Sequence, residues 1–182
     1  MNANPTNPNQ ALLRSTHDTP IGRLTFVADA NGLRAVLWPD DLASRVPLGS
    51  RSPVASNGAT HDPDVVLRHT AVQIDEYLAG DRRQFDLPLA PAGTPFQQSA
   101  WAVLRSIPYG TTMSYAEQAR ALGDVNKARA VGAADGRNPL SIVVPCHRVT
   151  GAGGRLTGFA GGLDAKAWLL GHERAVSEAG TA

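Results

Sequence analysis

The sequence predicts an α/β N-terminal domain followed by a mainly α C-terminal domain, on three observations. Residues 21–28 and 33–38 are two β-leaning runs flanking an Asn31-Gly32 turn signal, with an amphipathic helical pattern after them. A linker carrying Pro88, Pro91, Gly93 and Pro95 then interrupts the chain. Beyond it, apolar residues recur mostly at helical spacing.

Taken in order, residues 1–11 are rich in Asn and Pro and are expected to form a disordered lead. The N-terminal domain then covers 12–92. Within it, 39–63 is rich in Pro, Ser, Gly and Asp without apolar periodicity, which reads as a long surface loop. Val66, Ile74, Tyr77 and Leu78, with Gly80 following, predict an amphipathic helix, and 85–89 reads as one more strand.

The C-terminal domain covers 93–174, with 175–182 as a flexible tail. Its first helix carries Phe96, Ala100, Val103, Leu104 and Ile107 on one stripe, with Trp101 one step off it, and ends at Pro108-Tyr109-Gly110. Ser114 and Glu117 fit a capping box that opens a helix running to Leu122 and stopping at Gly123. A further helix is expected from about residue 126 to Asp135, before the Asn138-Pro139 break. Two short helices joined by a glycine-containing turn make a helix-turn-helix candidate, although such spacing is common. The second of them has little bulk (Ala128, Ala130, Gly132, Ala133, Ala134) and positive neighbours in Lys127, Arg129 and Arg137. Composition leaves two meanings open: a face for close helix packing, or a face lying against DNA.

Bulk properties narrow the function. The 182-residue chain has one cysteine, Cys146, so no internal disulfide forms and a cysteine-based structural zinc is not expected. No run approaches the roughly 18 apolar residues of a membrane span, and the polar N-terminus lacks a signal-peptide core, so the expectation is a cytoplasmic protein with no membrane partner. Residues 1–93 hold eight Arg and ten acids, whereas 94–173 hold eight Lys/Arg and five acids. That tilt favours the second half as the side facing a polyanion, weakly.

Ile142-Val143-Val144 reads as a short buried strand, followed by Pro145 and then Cys146-His147-Arg148-Val149. Cysteine attacks as thiolate, and a neighbouring imidazole enlarges the reactive fraction of a thiol whose ordinary pKa is about 8.5. Against this, a lone cysteine is commonly a small buried hydrophobe. His147 alone would be a polar strand-end residue, and Glu173 alone a solvated carboxylate near a helix end. Spacing by itself leaves both views open.

The Pro145–Val149 segment resembles the active-site signature of the O6-alkylguanine-DNA alkyltransferases, the methylated-DNA–protein-cysteine methyltransferases. The likeness extends through Phe96-Gln97, Trp101, Ile107-Pro108-Tyr109-Gly110, Ser114-Tyr115, Arg129-Ala130-Val131-Gly132, Asn138-Pro139, Leu156-Thr157-Gly158 and Gly161-Gly162-Leu163. It closes on Lys166, Trp168-Leu169-Leu170 and His172-Glu173, so it covers about 95–174 in the family's order. The resemblance implies a ribonuclease H-like N-terminal domain and a winged helix-turn-helix-like motif after it. It also implies repair of O6-alkylguanine, and of O4-alkylthymine, by irreversible stoichiometric transfer of the alkyl group to Cys146 after nucleotide flipping.

By the same resemblance His147 acts as base through a water, Glu173 orients it, and Asn138 braces the active-site turn. Tyr115 helps rotate the nucleotide, Arg129 fills the space it leaves, and Ala128, Gly132 and Ala133 allow close approach to DNA. Val149, Phe159 and Ala160 line the guanine pocket, with Lys166 nearby. The expected partner is double-stranded DNA carrying O6-alkylguanine, bound by a monomer, with cooperative assembly left open. No cofactor and no metal are expected. Phe159 stands where the family often has tyrosine, which removes any contact from that hydroxyl, and Ala160 where some members have serine, a change expected to alter tolerance of bulky adducts. A lesion sensor, a helix-turn-helix regulator and a cysteine hydrolase are the rival functions. The first replaces the cysteine, the second leaves His147, Asn138 and Glu173 unexplained, and the third needs an acyl substrate and multiple turnover with nothing beyond Cys and His to support it.

Overall fold

Strands β1 (Leu13–Thr19), β2 (Gly22–Asp29) and β3 (Gly32–Leu37) form an antiparallel meander in chain order. The computed structural model describes residues 12–41, 46, 48 and 61–180; the expected lead and most of the 39–63 loop lie outside the described residues. β1 was not anticipated from the sequence. Its Arg14, Thr16 and Asp18 are exposed, and the alternate positions include Ser15 and His17, so no apolar stripe announces it. Pairing with β2, from Leu13↔Ala28 to Thr19↔Gly22, sets its register.

The second hairpin turns at Ala30-Asn31, and Gly32 opens β3 at φ +128°. A Cβ there would stand 2.2 Å from the Pro88 carbonyl oxygen, so only glycine admits the neighbouring segment. That segment, 85–89, was expected to be a strand. It is instead an extended stretch held by Leu33 N–H to Pro88 O (2.7 Å) and Ala90 N–H to Leu33 O (2.8 Å). Pro88 and Pro91 lack the N–H groups that would propagate a ladder.

Helix α1 (Pro63–Ala79) begins where the Asp62 side chain accepts from Asp64 N–H and ends at Gly80 in the left-handed region. Its Val66, Leu67, Ile74 and Tyr77 pack with Leu24, Phe26 and Ala28 of β2 in the main core. Each such side chain contributes about 1.5–3 kcal/mol of burial. The opposite face of the sheet buries Val27 and Ala35 with Val46, a residue of the expected loop.

Helix α2 (Pro95–Ser106) starts with a Thr94/Gln97 capping box. Trp101, read as off the apolar stripe, is buried, and its indole N–H donates to Ala134 O at 2.9 Å. The ring is long enough to reach the helix beyond its own stripe. The Ser114/Glu117 capping box opens α3 (Tyr115–Ala121) as expected. A 3-10 turn at Val125–Lys127 leads into α4 (Ala128–Asp135), completing the helix-turn-helix. Short parallel strands β4 (Met113–Ser114) and β5 (Val149–Thr150) lie beside it. Helix α5 spans Gly162–Ala179 and so carries regular structure into the stretch expected to be a tail.

The predicted strand at 142–144 is absent. Ile142 is buried with φ +71°, and Val144 N–H closes a turn onto Leu140 O at 2.8 Å. These residues are apolar because they are covered, and period alone does not separate a buried turn from a buried strand. The turn docks on the N-terminal sheet through Val36 N–H to Pro139 O (2.8 Å). Gly161 lies against Trp38 so closely that a Cβ would be 2.5 Å from the indole.

Candidate active site

Asn138 fixes the turn that delivers Cys146. Its Nδ2 donates to Val144 O (2.8 Å) and its Oδ1 accepts from Leu140 N–H (3.0 Å), with the side chain buried. Pro145 then redirects the chain into a 3-10 turn, Cys146–Arg148, in which Cys146 is half-buried and His147 wholly buried. Adjacent residues on so tight a turn point in different directions. Cys146 faces a cavity and His147 faces the interior, towards α5.

There His147 Nε2 lies 2.9 Å from Glu173 Oε1, and both side chains are fully buried. Glu173 is therefore neither solvated nor at a helix end. Tyr77 of α1 donates to the same Oε1 at 2.6 Å, with its oxygen 3.3 Å from His147 Nε2. Arg148 donates from Nε (3.0 Å to Oε2) and Nη2 (2.9 Å to Oε1), and Gly110 N–H reaches Oε2 at 2.9 Å. Arg148 Nη1 also donates to Ile107 O.

Burial alone would raise the Glu173 pKa, but hydrogen bonds and charges from His147 and Arg148 outweigh it and hold the carboxyl at about 2. Burial lowers the His147 pKa, against the opposing pull of Glu173, so the imidazole is neutral at neutral pH. A neutral ring facing a carboxylate through Nε2 carries its proton there. Nδ1, which has no hydrogen-bond partner among the described residues, is left as the acceptor. The Tyr77 hydroxyl is pushed well above its usual range by burial and then by Glu173, so it stays a donor.

The cavity on the other side of Cys146 has a volume of about 260 Å³ and is lined by Tyr115, Gly132, Asp135, Cys146, Phe159 and Ala160, with Gly136 and Gly158. That is slightly below the roughly 300–1,000 Å³ of drug-sized ligand pockets, a scale suited to one nucleobase. Tyr115 lies over Gly132, where a Cβ would touch its ring at 3.5 Å. Burial raises the Tyr115 pKa, keeping a donor at the cavity wall. Phe159 is edge-on to Trp38 at 5.6 Å.

Of the residues singled out from sequence, Tyr115, Gly132, Phe159 and Ala160 thus share the cavity with Cys146. Val149 and Lys166 stand behind it: buried Lys166 donates from Nζ to Val149 O (2.6 Å) and Thr157 O (2.7 Å), strapping β5 to the 157–160 loop. Arg129 and Ala133 lie on the exposed face of α4, with Ala128 half-buried beside them. Tyr77 and Asp135 were missed. Tyr77 counted only as an apolar helix position, and Asp135 carried no motif. Arg148, inside the signature but given no role, was the visible clue to a second partner for Glu173. Among the described residues no group of His, Cys, Asp and Glu could hold a metal ion, and no helix is long and apolar enough to cross a membrane.

Family models for 6-O-methylguanine DNA methyltransferase match almost the whole described chain, the ribonuclease-like domain over 12–91 and the DNA binding domain over 95–175. The chain belongs to the 6-O-methylguanine DNA methyltransferase family. A methylated-DNA–protein-cysteine methyltransferase of Methanosarcina acetivorans is 40% identical over 84% of this chain and 92% of its own length. Its counterpart in Shigella flexneri is 42% identical over 89% and 95%. Among solved structures, that of Mycobacterium tuberculosis OGT in complex with DNA superposes with a TM-score of 0.74 at 40% identity, covering 88% of this chain and 92% of that one. The methyltransferase fold is thus the two-domain arrangement expected, an N-terminal sheet domain and a helical DNA-binding domain.

Proposed function

We propose that this methyltransferase, acting as a monomer in the cytoplasm, repairs O6-alkylguanine in double-stranded DNA by moving the alkyl group onto Cys146, with O4-alkylthymine as a second substrate. One observation carries the reading. The sole cysteine opens onto a base-sized cavity while the next residue, His147, is locked to a buried, ionised Glu173.

In this mechanism α4 lies along the DNA and Arg129 occupies the space of the flipped nucleotide. The flipped base enters the cavity beneath Tyr115, which donates a hydrogen bond to it. His147 Nδ1, through a water, takes the thiol proton, and Glu173 stabilises the imidazolium as the proton arrives. The thiolate attacks the alkyl carbon in line. A carbon–sulfur bond forms as the carbon–O6 bond breaks, and the bonding pair leaves with guanine, which takes up a proton. The thioether has no easy hydrolytic or exchange route back, so each molecule acts once, without cofactor or metal.

The test is the intact mass of the protein after incubation with a duplex holding one O6-methylguanine. The expected gain is a single methyl group, never more than one per molecule, and none in Cys146→Ser. Tight binding to the lesion with unchanged mass would make the protein a sensor and overturn the proposal. A parallel duplex holding O4-methylthymine tests the second substrate.

A further inference from the structure

The cavity holds one ionisable group that the mechanism above leaves unused. Asp135, the last residue of α4, is 6% exposed and forms part of the same wall as Cys146. Gln118 Nε2 of α3 donates to its Oδ1 at 3.0 Å and shares itself with Ala100 O of α2 at 3.2 Å. Its other oxygen, Oδ2, is buried and has no hydrogen-bond partner among the described residues. A carboxylate so placed is poorly compensated, because an ionised oxygen out of water needs donors or a cation.

The charged and titratable surroundings are few. From α3 come Gln118 and Tyr115, both neutral, and α2 presents only a backbone carbonyl, held by the same Gln118 amide. The turn after Pro145 contributes Cys146 and neutral His147. From α5 comes Lys166, the one cation among the described residues whose field reaches Asp135, already hydrogen-bonded to two carbonyls. On α4 itself Arg129 is exposed, as is Arg137 just beyond it. Tyr115 and Lys166 each feel both Asp135 and Cys146, which places the two acids in one field.

We propose that Asp135 is a charge gate on the alkyl-acceptor pocket: protonated, it leaves the Cys146 thiolate and the departing guanine as the only anions there, and ionised, it opposes both and slows transfer. The group is set to act near neutrality, since burial, against Gln118 and Lys166, raises its pKa to about 7. As pH rises through that value, a negative charge appears on Asp135 beside the thiol, and it makes the Cys146 proton harder to lose. This rests on the proposed alkyl transfer for its consequence, though not for the coupling itself.

The experiment separates the two. Because Cys146 is the only thiol, its reaction with the neutral reagent iodoacetamide, followed across pH, reports its ionisation without DNA. In Asp135→Asn, which keeps an acceptor for Gln118, the thiol midpoint should fall by about half a unit to one unit, the size of a like-charge effect across a partly hydrated pocket. In single-turnover transfer from an O6-methylguanine duplex, the variant-to-wild-type rate ratio should climb about threefold to tenfold between about pH 6 and pH 8.5. Superimposable thiol profiles, or a midpoint raised by the substitution, would overturn the gate. A shifted thiol midpoint without any transfer to Cys146 would leave the coupling standing and sink the proposed function instead. If Asp135→Asn does not fold, the wild-type profile decides: two coupled ionisations support the gate, and a single ionisation overturns it.

Discussion

Replacing Glu173 by glutamine tests the centre of the site. The carboxylate is fully buried and its oxygens accept from Tyr77, His147, Arg148 and Gly110. Its pKa falls from 4.5 to about 2, and at 1.36 kcal/mol per unit that is roughly 3 kcal/mol of pH-linked stability. A depressed carboxyl contributes this fully above its unfolded-state value and loses it as pH falls through the folded value. Acid unfolding of the wild type should therefore draw on Glu173 between pH 4.5 and about 2. Glutamine removes the charge and leaves the Arg148 guanidinium buried without its counter-ion, a loss of about 3–5 kcal/mol. For a chain of this size each kcal/mol moves the melting temperature by about 2–4 °C, so a fall of roughly 6–20 °C is expected. The chemistry should suffer separately. A glutamine N–H turned to Nε2 drives the imidazole proton onto Nδ1, the atom proposed to accept from the thiol. The analogous change in a serine protease triad costs about 10⁴ in rate, and a thiol that ionises partly unaided should lose about 10²–10⁴. Single-turnover transfer and thermal melts read the two effects. A folded Glu173→Gln protein transferring within a factor of a few of wild type would refute the base-and-orienter assignment.

Two further substitutions probe the turn and the DNA face. Asn138→Ala leaves Leu140 N–H and Val144 O without their side-chain partner, so unfolding in urea should show a loss of about 2–5 kcal/mol, and an unchanged midpoint would mean the turn holds itself. Arg129→Ala should slow transfer from a duplex by about 10- to 100-fold, because unstacking a nucleotide costs a few kcal/mol that the arginine is proposed to help offset. Transfer from a free O6-alkylated base should slow far less, and equal slowing would place Arg129 outside the flipping step.

The legible parts of this protein are those that local chemistry decides. The Ser114/Glu117 capping box and the Gly80 helix end were readable because one or two side chains determine each. The cysteine segment was readable from its resemblance to a known signature, and its chemistry from the adjacent imidazole. What failed were elements whose state is decided from a distance. β1 has no apolar stripe and exists because β2 pairs with it. The 142–144 run looks like a strand because it is buried, yet Asn138 and Pro145 hold it as a turn. Glu173 looked solvated on its own, and only the meeting of α1, α5, the turn after α2 and the Cys146 turn shows four groups converging on it. Tyr77 was invisible as a site residue for the same reason, since its hydroxyl finds a carboxylate 96 positions away.

That distant contact has a consequence for when the protein becomes dangerous to spend. Glu173 sits on α5, which is synthesised after every other described element, and its carboxylate is held from α1 in the first half. Until α5 has emerged and docked against Tyr77, His147 has neither its proton partner nor its fixed orientation. On the proposed mechanism, a nascent or half-assembled chain therefore carries an ordinary cysteine, and the single-use thiol is armed only by completed assembly.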